Sequence, residues 1–202
     1  MKTLIVGNRP LNSNIIDLAK EKLIIAADGG ADRLLKHNIT PDFVVGDFDS
    51  ISDKSATKLE EWLVSNKNIQ KTDLEKAVDY AIEKGATEIQ IVGWRGGRID
   101  HTLAALGLAF NSRISLIDEQ FTVQAVTDSK TIKGAENTLF SLIAMPEARV
   151  SVTGARWNLQ HEKLIMGGRG VHNEIGPTET VTVDCHSGNL LLIQGNFTLP
   201  HD

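Results

Sequence analysis

The run Thr72-Asp73-Leu74-Glu75-Lys76-Ala77-Val78-Asp79-Tyr80-Ala81-Ile82-Glu83-Lys84-Gly85, followed shortly by Ile89-Gln90-Ile91-Val92, decides the fold class. Leu74, Ala77, Val78, Ala81 and Ile82 recur at i, i+3, i+4, i+7 and i+8, which is one apolar stripe along a helix. Thr72 and Glu75 have the spacing of a capping box, and Gly85 stands where such a helix stops. Ile89 to Val92 is short, branched and apolar, and reads as a mostly buried strand. Toward the N-terminus the same kind of run returns in Leu4-Ile5-Val6, Leu23-Ile24-Ile25-Ala26 and Phe43-Val44-Val45, with helical spacing between them. Residues 52–65, with Ala56, Leu59, Trp62 and Leu63 on one side, are expected as a second helix, and 100–110 as a third. Strand and helix alternating at this spacing imply a mainly parallel α/β sheet covered on both faces.

Toward the C-terminus the helical period disappears from about Glu119. Phe121-Thr122-Val123-Gln124-Ala125-Val126 alternates with period two, as do residues 149–152 and 180–185, and Asn189-Leu190-Leu191-Leu192-Ile193 is expected as a further strand. Gly134, Gly154, Gly167-Gly168, Gly176-Pro177 and Ser187-Gly188 read as the turns between them. The pattern is all-β, a sandwich or a small barrel. Two domains are expected, residues 1–122 and 123–202, with no flexible linker between them.

The chain has 202 residues, 41% hydrophobic and 23% charged, ordinary globular values that exclude disorder. Lys and Arg number 21 against 26 Asp and Glu, a net charge of −5, which argues against a generally basic nucleic-acid-binding surface. One cysteine, Cys185, excludes an intramolecular disulfide framework and fits a reducing compartment. Leu4-Ile5-Val6 gives way to Gly7-Asn8-Arg9-Pro10, too short an apolar run for a signal peptide. No run approaches the roughly 18 apolar residues of a membrane span. A cytoplasmic protein without membrane or nucleic-acid partners is expected.

Acids and glycines gather where the strands of the first half end, which is where open α/β sheets bind ligands. Gly46-Asp47-Phe48-Asp49-Ser50 follows one strand. Asp47 and Asp49, two positions apart, suit Mg²⁺ bound with phosphate oxygens, and equally Asp49 and Ser50 suit the start of the next helix. Asp28-Gly29-Gly30-Ala31 follows another strand and reads as a close-approach loop before a helix N-terminus, or as a plain tight turn. Asp73 opens a helix, where an acid is favoured by the dipole alone. Gly93-Trp94-Arg95-Gly96-Gly97-Arg98-Ile99-Asp100-His101 combines glycines, two arginines, an acid and a histidine in a plausible phosphate cradle. The phosphate-loop, dinucleotide and nucleophile-elbow motifs are all absent, as is any zinc-like His/Cys spacing. The weight lies in the convergence of four loops on one sheet edge.

Taken in order, Asp28-Gly29-Gly30-Ala31, Gly46-Asp47-Phe48-Asp49-Ser50, Thr72-Asp73, Gly96-Gly97-Arg98-Ile99-Asp100-His101-Thr102, Thr153-Gly154-Ala155-Arg156-Trp157-Asn158-Leu159 and Asn173-Glu174 resemble the thiamine pyrophosphokinase family over essentially the whole chain. The resemblance implies transfer of a pyrophosphoryl group from ATP to the hydroxyethyl oxygen of thiamine, giving thiamine diphosphate and AMP. It implies an α/β domain followed by a C-terminal β-sandwich, and a homodimer with active sites between subunits. Carried over by position, Asp47, Asp49 and Asp73 would hold Mg²⁺, with Asp28 and Asp100 completing the acidic cluster near the reacting hydroxyl. Gly97, Arg98 and His101 would contact ATP, Trp157 would stack on a thiamine ring, and Asn173 would lie nearby. Either Asp100 or Asp28 suits the role of proton acceptor. Without the resemblance, Trp157 reads as an ordinary sandwich core residue. His172, where the family often has a small hydroxyl residue, and the bulky Trp94-Arg95 depart from the pattern. Another Mg²⁺ enzyme on this scaffold, or a non-catalytic ligand sensor, are the competing readings; retention of all five acids argues against the sensor.

Overall fold

The computed structural model describes residues 1–12 and 14–195. They divide into two compact units, Met1–Leu108 with Leu116–Asp118, and Ala109–Ser115 with the chain from Glu119 onward. The first unit contains β1 (Lys2–Val6), α1 (Ile15–Ala19), β2 (Leu23–Ala27), α2 (Gly30–Lys36), β3 (Phe43–Gly46), α3 (Asp53–Lys58), β4 (Leu63–Ser65), α4 (Asp73–Glu83), β5 (Glu88–Val92) and α5 (Ile99–Leu108). The five strands are all parallel, in the order β5-β1-β2-β3-β4. Consecutive side chains of a strand point to opposite faces, yet Leu4, Ile5 and Val6 are all fully buried, so both faces of β1 are covered as expected. Leu4, Val6, Ala26, Val44 and Val92 share one core cluster with Ile15, Leu34 and Leu59.

α4 forms as its sequence predicts. Thr72 Oγ1 accepts from the Glu75 amide at 3.2 Å and Glu75 Oε2 accepts from the Thr72 amide at 3.3 Å, closing the capping box. The expected helix over 52–65 is corrected. α3 stops at Lys58, a single 3₁₀ turn covers Glu60–Trp62, and Leu63–Ser65 becomes β4, parallel to β3. Leu59 is fully buried with or without a continuing helix, so the apolar spacing alone does not distinguish the two; pairing with Val44–Gly46 does.

β6 (Ile114–Ile117) is divided between the units. The second unit continues through β7 (Phe121–Ala125), β8 (Ser129–Lys133), β9 (Leu139–Thr153), β10 (Leu159–Ile165), β11 (Asn173–Glu174) and β12 (Thr180–Gly195). The pairs among β7 to β12 are antiparallel. β9 and β12 are long enough to serve two layers. One half of β12 lies between β8 and β9 while the other lies between β7 and β9, and β9 in turn carries β10 on one half and β11 on the other. One core encloses residues from both sets, among them Ile132, Val150, Val181 and Leu164 with Phe140, Leu142, Leu190 and Leu192. The result is a sandwich with two shared strands. The expected turn at Ser187-Gly188 is therefore corrected: residues 180–185 and 189–193 belong to one strand. Register shifts between Cys185 and Ser187, and between Gly188 and Leu190, absorb the irregularity instead. These bulges move the buried set from Val181, Val183 and Cys185 to Leu190 and Leu192, keeping both halves turned to one core.

Candidate active site

In the first unit, β1 is flanked by β2 on one side and β5 on the other, so the strand order reverses there. A cleft opens where ligands of open α/β sheets bind, beyond the carboxyl ends at such a switch point. It encloses about 510 Å³, lined by the loops after β1, β2, β3 and β5 and by the segment entering α4.

Asp28 directly follows β2 in a left-handed conformation, φ +43, with 1% of its surface exposed. Its carboxylate accepts from the Phe48 amide at 2.8 Å and the Ser50 amide at 3.2 Å. The loop after β3 is thus folded around the acid that follows β2. Burial pushes the Asp28 carboxyl above its ordinary range, and the neighbouring Asp73 charge adds to this against the two amides. Oxygens of Asp28, Asp47 and Asp73 lie within 4.8 Å of one another. Lys76, one turn along α4 from Asp73, reaches into this group. Its ammonium donates to Asp73 Oδ1 at 2.8 Å and Asp47 Oδ2 at 3.2 Å, with 2% of the side chain exposed. The hydrogen bond from Lys76 holds Asp47 below the usual carboxylate range. Burial alone would lower Lys76, but its bonds to Asp73 and Asp47 outweigh it and leave the ammonium above its ordinary value.

The other expected residues do not join the triad, and Gly97, Arg98 and Asp100 are not among the residues that line the cleft. Asp49 is exposed and accepts from the Ser50 hydroxyl at 2.9 Å. His101 lines the cleft. Arg98 and Asp100 form an exposed two-bond pair, 3.1 and 2.5 Å, and the guanidinium drops the Asp100 carboxyl to about 2. Gly97 has φ +76, and a Cβ there would stand 2.5 Å from the Arg9 guanidinium, so the loop after β5 packs under Arg9. Trp94 is 4% exposed with its indole N–H on the Ile117 carbonyl at 3.1 Å, and Arg95 makes a two-bond pair with Asp118.

In the second unit, Trp157 is not a core residue: 48% of its surface is exposed. Asn173 clamps its backbone, accepting from the Trp157 amide at 3.2 Å and donating to its carbonyl at 2.8 Å. The Arg156 guanidinium lies 4.6 Å from the indole centroid and pairs with Glu174 at 2.8 Å. His172 has φ +60 and donates its amide to Ser141 Oγ at 3.1 Å.

Three site residues escape the sequence reading: Asn8 and Arg9, which line the cleft from the loop after β1, and Lys76. Gly7-Asn8-Arg9 follows an apolar run as the other loops do, and its position after a strand was the available signal. Lys76 was legible as the i+3 neighbour of Asp73 on a helix.

Residues 17–118 match the family model described as thiamin pyrophosphokinase, catalytic domain, and residues 128–190 match thiamin pyrophosphokinase, vitamin B1 binding domain. The chain is 34% identical over 185 residues to a thiamine pyrophosphokinase of Bacillus subtilis, covering 83% of this chain and 86% of that one. A crystal structure of thiamine pyrophosphokinase from the same species superposes with a TM-score of 0.85 and 27% identity, covering 98% of this chain and all of that one. Thiamin pyrophosphokinase from Candida albicans, at 17% identity, a TM-score of 0.82 and coverage of 96% and 89%, shares the fold. Two family models spanning most of the chain, with a relative of this identity and coverage, show that the chain belongs to the thiamine pyrophosphokinase family.

Proposed function

We propose that the chain transfers a pyrophosphoryl group from ATP to thiamine, giving thiamine diphosphate and AMP, in the cleft at the switch point of its α/β unit. The observation that carries this reading is the convergence of Asp28, Asp47 and Asp73 with Lys76 and Arg9 in one cleft of a chain from this family. The donor set fits Mg²⁺: three hard carboxylates lie close enough to share one cation, with room in the cleft for phosphate oxygens. Asp47 and Asp73 would hold the ion, with Asp28 and the nearby Asp49 completing the acidic group. When bound, Mg²⁺ supplies neutralisation of triphosphate charge that a protein of net charge −5 otherwise repels.

The chain's own residues do the rest. Arg9 and His101 line the cleft and offer donors to phosphate oxygens, and Gly97 packs against the Arg9 guanidinium. The attacked phosphorus is the β, so AMP leaves. Of the two candidate proton acceptors, Asp28 lines the cleft, whereas Asp100 is exposed and paired with Arg98; we assign the hydroxyl proton to Asp28. The half-exposed Trp157, fixed by Asn173 and backed by Arg156, offers an indole face to the cationic aromatic thiamine. Completion of each site by a second copy, hence a homodimer, and a cytoplasmic setting, which a single buried cysteine suits, belong to the same proposal. No helix among the described residues is long and apolar enough to cross a membrane.

The test is incubation of the purified protein with thiamine, ATP and Mg²⁺, followed by quantification of AMP and thiamine diphosphate. Equal amounts of the two are expected, absent with EDTA and reduced roughly 100-fold or more in Asp73→Asn. ADP or free phosphate instead would assign a different Mg²⁺ reaction to the site. Thiamine binding without any product would make the chain a sensor.

A further inference from the structure

Asp47 and Asp73, the two acids that would hold a divalent cation, are both paired with the ammonium of Lys76. Lys76 puts its ammonium 2.8 Å from one carboxylate and 3.2 Å from the other, on a side chain with 2% exposure, while the two acids are about a third exposed. Within α4 the i,i+3 pairing with Asp73 favours a lysine there, and the helix dipole opposes it. Lys76 sits in the first turn of α4, the end at which the dipole disfavours positive charge. Its place is held by the carboxylates, and theirs by it: oxygens of Asp28, Asp47 and Asp73 lie within 4.8 Å of one another, and Lys76 pairs with two of these acids.

We propose that Lys76 is a tethered competitor for the metal: its ammonium occupies the cation position between Asp47 and Asp73 in the metal-free protein and must withdraw when a divalent ion binds. The inference rests on the metal-site reading above. Two cations cannot share the position, since a unit charge and a double charge a few ångströms apart repel strongly away from bulk water. The exchange is feasible because a lysine is a point charge on a flexible four-carbon stem. Lys76 also lines the cleft, so a withdrawn ammonium stays inside it, beside whatever anion the cleft holds. The cost falls on metal affinity. A site populated by its own lysine binds a free ion with an affinity scaled down to the fraction of time the site is open. The gain is a neutralised, folded cleft without metal.

The experiment is titration of full-length, nucleotide-free protein with Mn²⁺, followed by electron paramagnetic resonance, for wild type, Lys76→Met, Lys76→Arg and Asp73→Asn. Lys76→Met is expected to bind Mn²⁺ roughly tenfold tighter than wild type, Lys76→Arg to stay near wild type, and Asp73→Asn to lose binding. In parallel, metal-free Lys76→Met should melt below wild type and gain more from added Mg²⁺, because the ion replaces the missing charge. Should Lys76→Met not fold, Lys76→Gln keeps a neutral polar group at the position for the same titration. Mn²⁺ affinity that is unchanged or weaker without the lysine, while Asp73→Asn still abolishes it, overturns the competitor and leaves the metal site standing. Mn²⁺ binding indifferent to Asp73→Asn, or absent from every form, overturns the metal site itself and the competitor with it.

Discussion

Asp28 and Asn173 show how the same few atoms can be read as chemistry and as scaffolding. Asp28 gathers the loop after β3 by accepting two of its amides, and so brings Asp47 to within reach of Asp73. Asn173 spends its amide group on the Trp157 backbone and the Glu174 amide, which leaves the indole to make the outward contact. Trp157→Ala should therefore raise the KM for thiamine by about 3- to 30-fold, with kcat little changed and the melting temperature intact, since the ring is half exposed and carries no core packing. An unchanged KM would remove Trp157 from the thiamine site. The identity of each acid as a candidate was legible in the sequence, because aspartates after apolar runs are visible there. Which of them meet was not: Asp28, Asp47 and Asp73 are separated by 19 and 26 positions and are joined only by the order of the strands.

Among the elements, α4 is specified almost entirely by its own residues, from the capping box at Thr72 to Gly85 beyond its end. α3 depends on a neighbour. Asp32 of α2 accepts from the Ser52 amide at 2.9 Å, the Ser52 hydroxyl at 2.6 Å and the Ser55 hydroxyl, tying the α3 N-terminus and the loop before it to α2. Burial works to raise the Asp32 carboxyl, but the Ser52 and Ser55 bonds prevail and hold it below the ordinary 3.8. A carboxyl lowered by folding stabilises fully above its unfolded value and loses that contribution as pH falls through the folded one. Asp32→Asn should thus cost about 1–2 kcal/mol at pH 6–7, less than a fully buried network because this carboxylate is partly solvated. The gap should close below about pH 4. Thermal melts across pH check both parts; a gap constant down to pH 2 would refute the ionic origin. At this scale the sequence misleads where an apolar run is short. Leu63–Ser65 has the spacing of a helix end, and only the open edge of β3 makes it a strand. Gly30 marks the reverse case: a Cβ there would stand 2.0 Å from the Val6 carbonyl, a close approach of α2 to β1 that the glycine pair allowed for.

For the molecule as a whole, the exposed Trp157 and the self-contained acidic cleft belong to separate compact units, and the proposed reaction needs a thiamine face and a metal site at once. Sedimentation of the active protein should give the mass of two chains, and full activity from a sedimenting monomer would reject the proposed dimer. The sequence by itself determined the two periodicities, hence a parallel α/β half and an antiparallel β half, because alternation at 3.6 and at 2 is a local property of the chain. It also determined the acids, the glycines and the family, since these are matters of residue identity and order. Only the tertiary structure decided that residues 180–195 form one bulged strand, that Trp157 faces outward, that Arg9 covers Gly97, and that a buried lysine stands among the carboxylates. Those outcomes turn on strand pairing, burial and charge neutralisation between residues far apart in the chain, energies that no local pattern encodes.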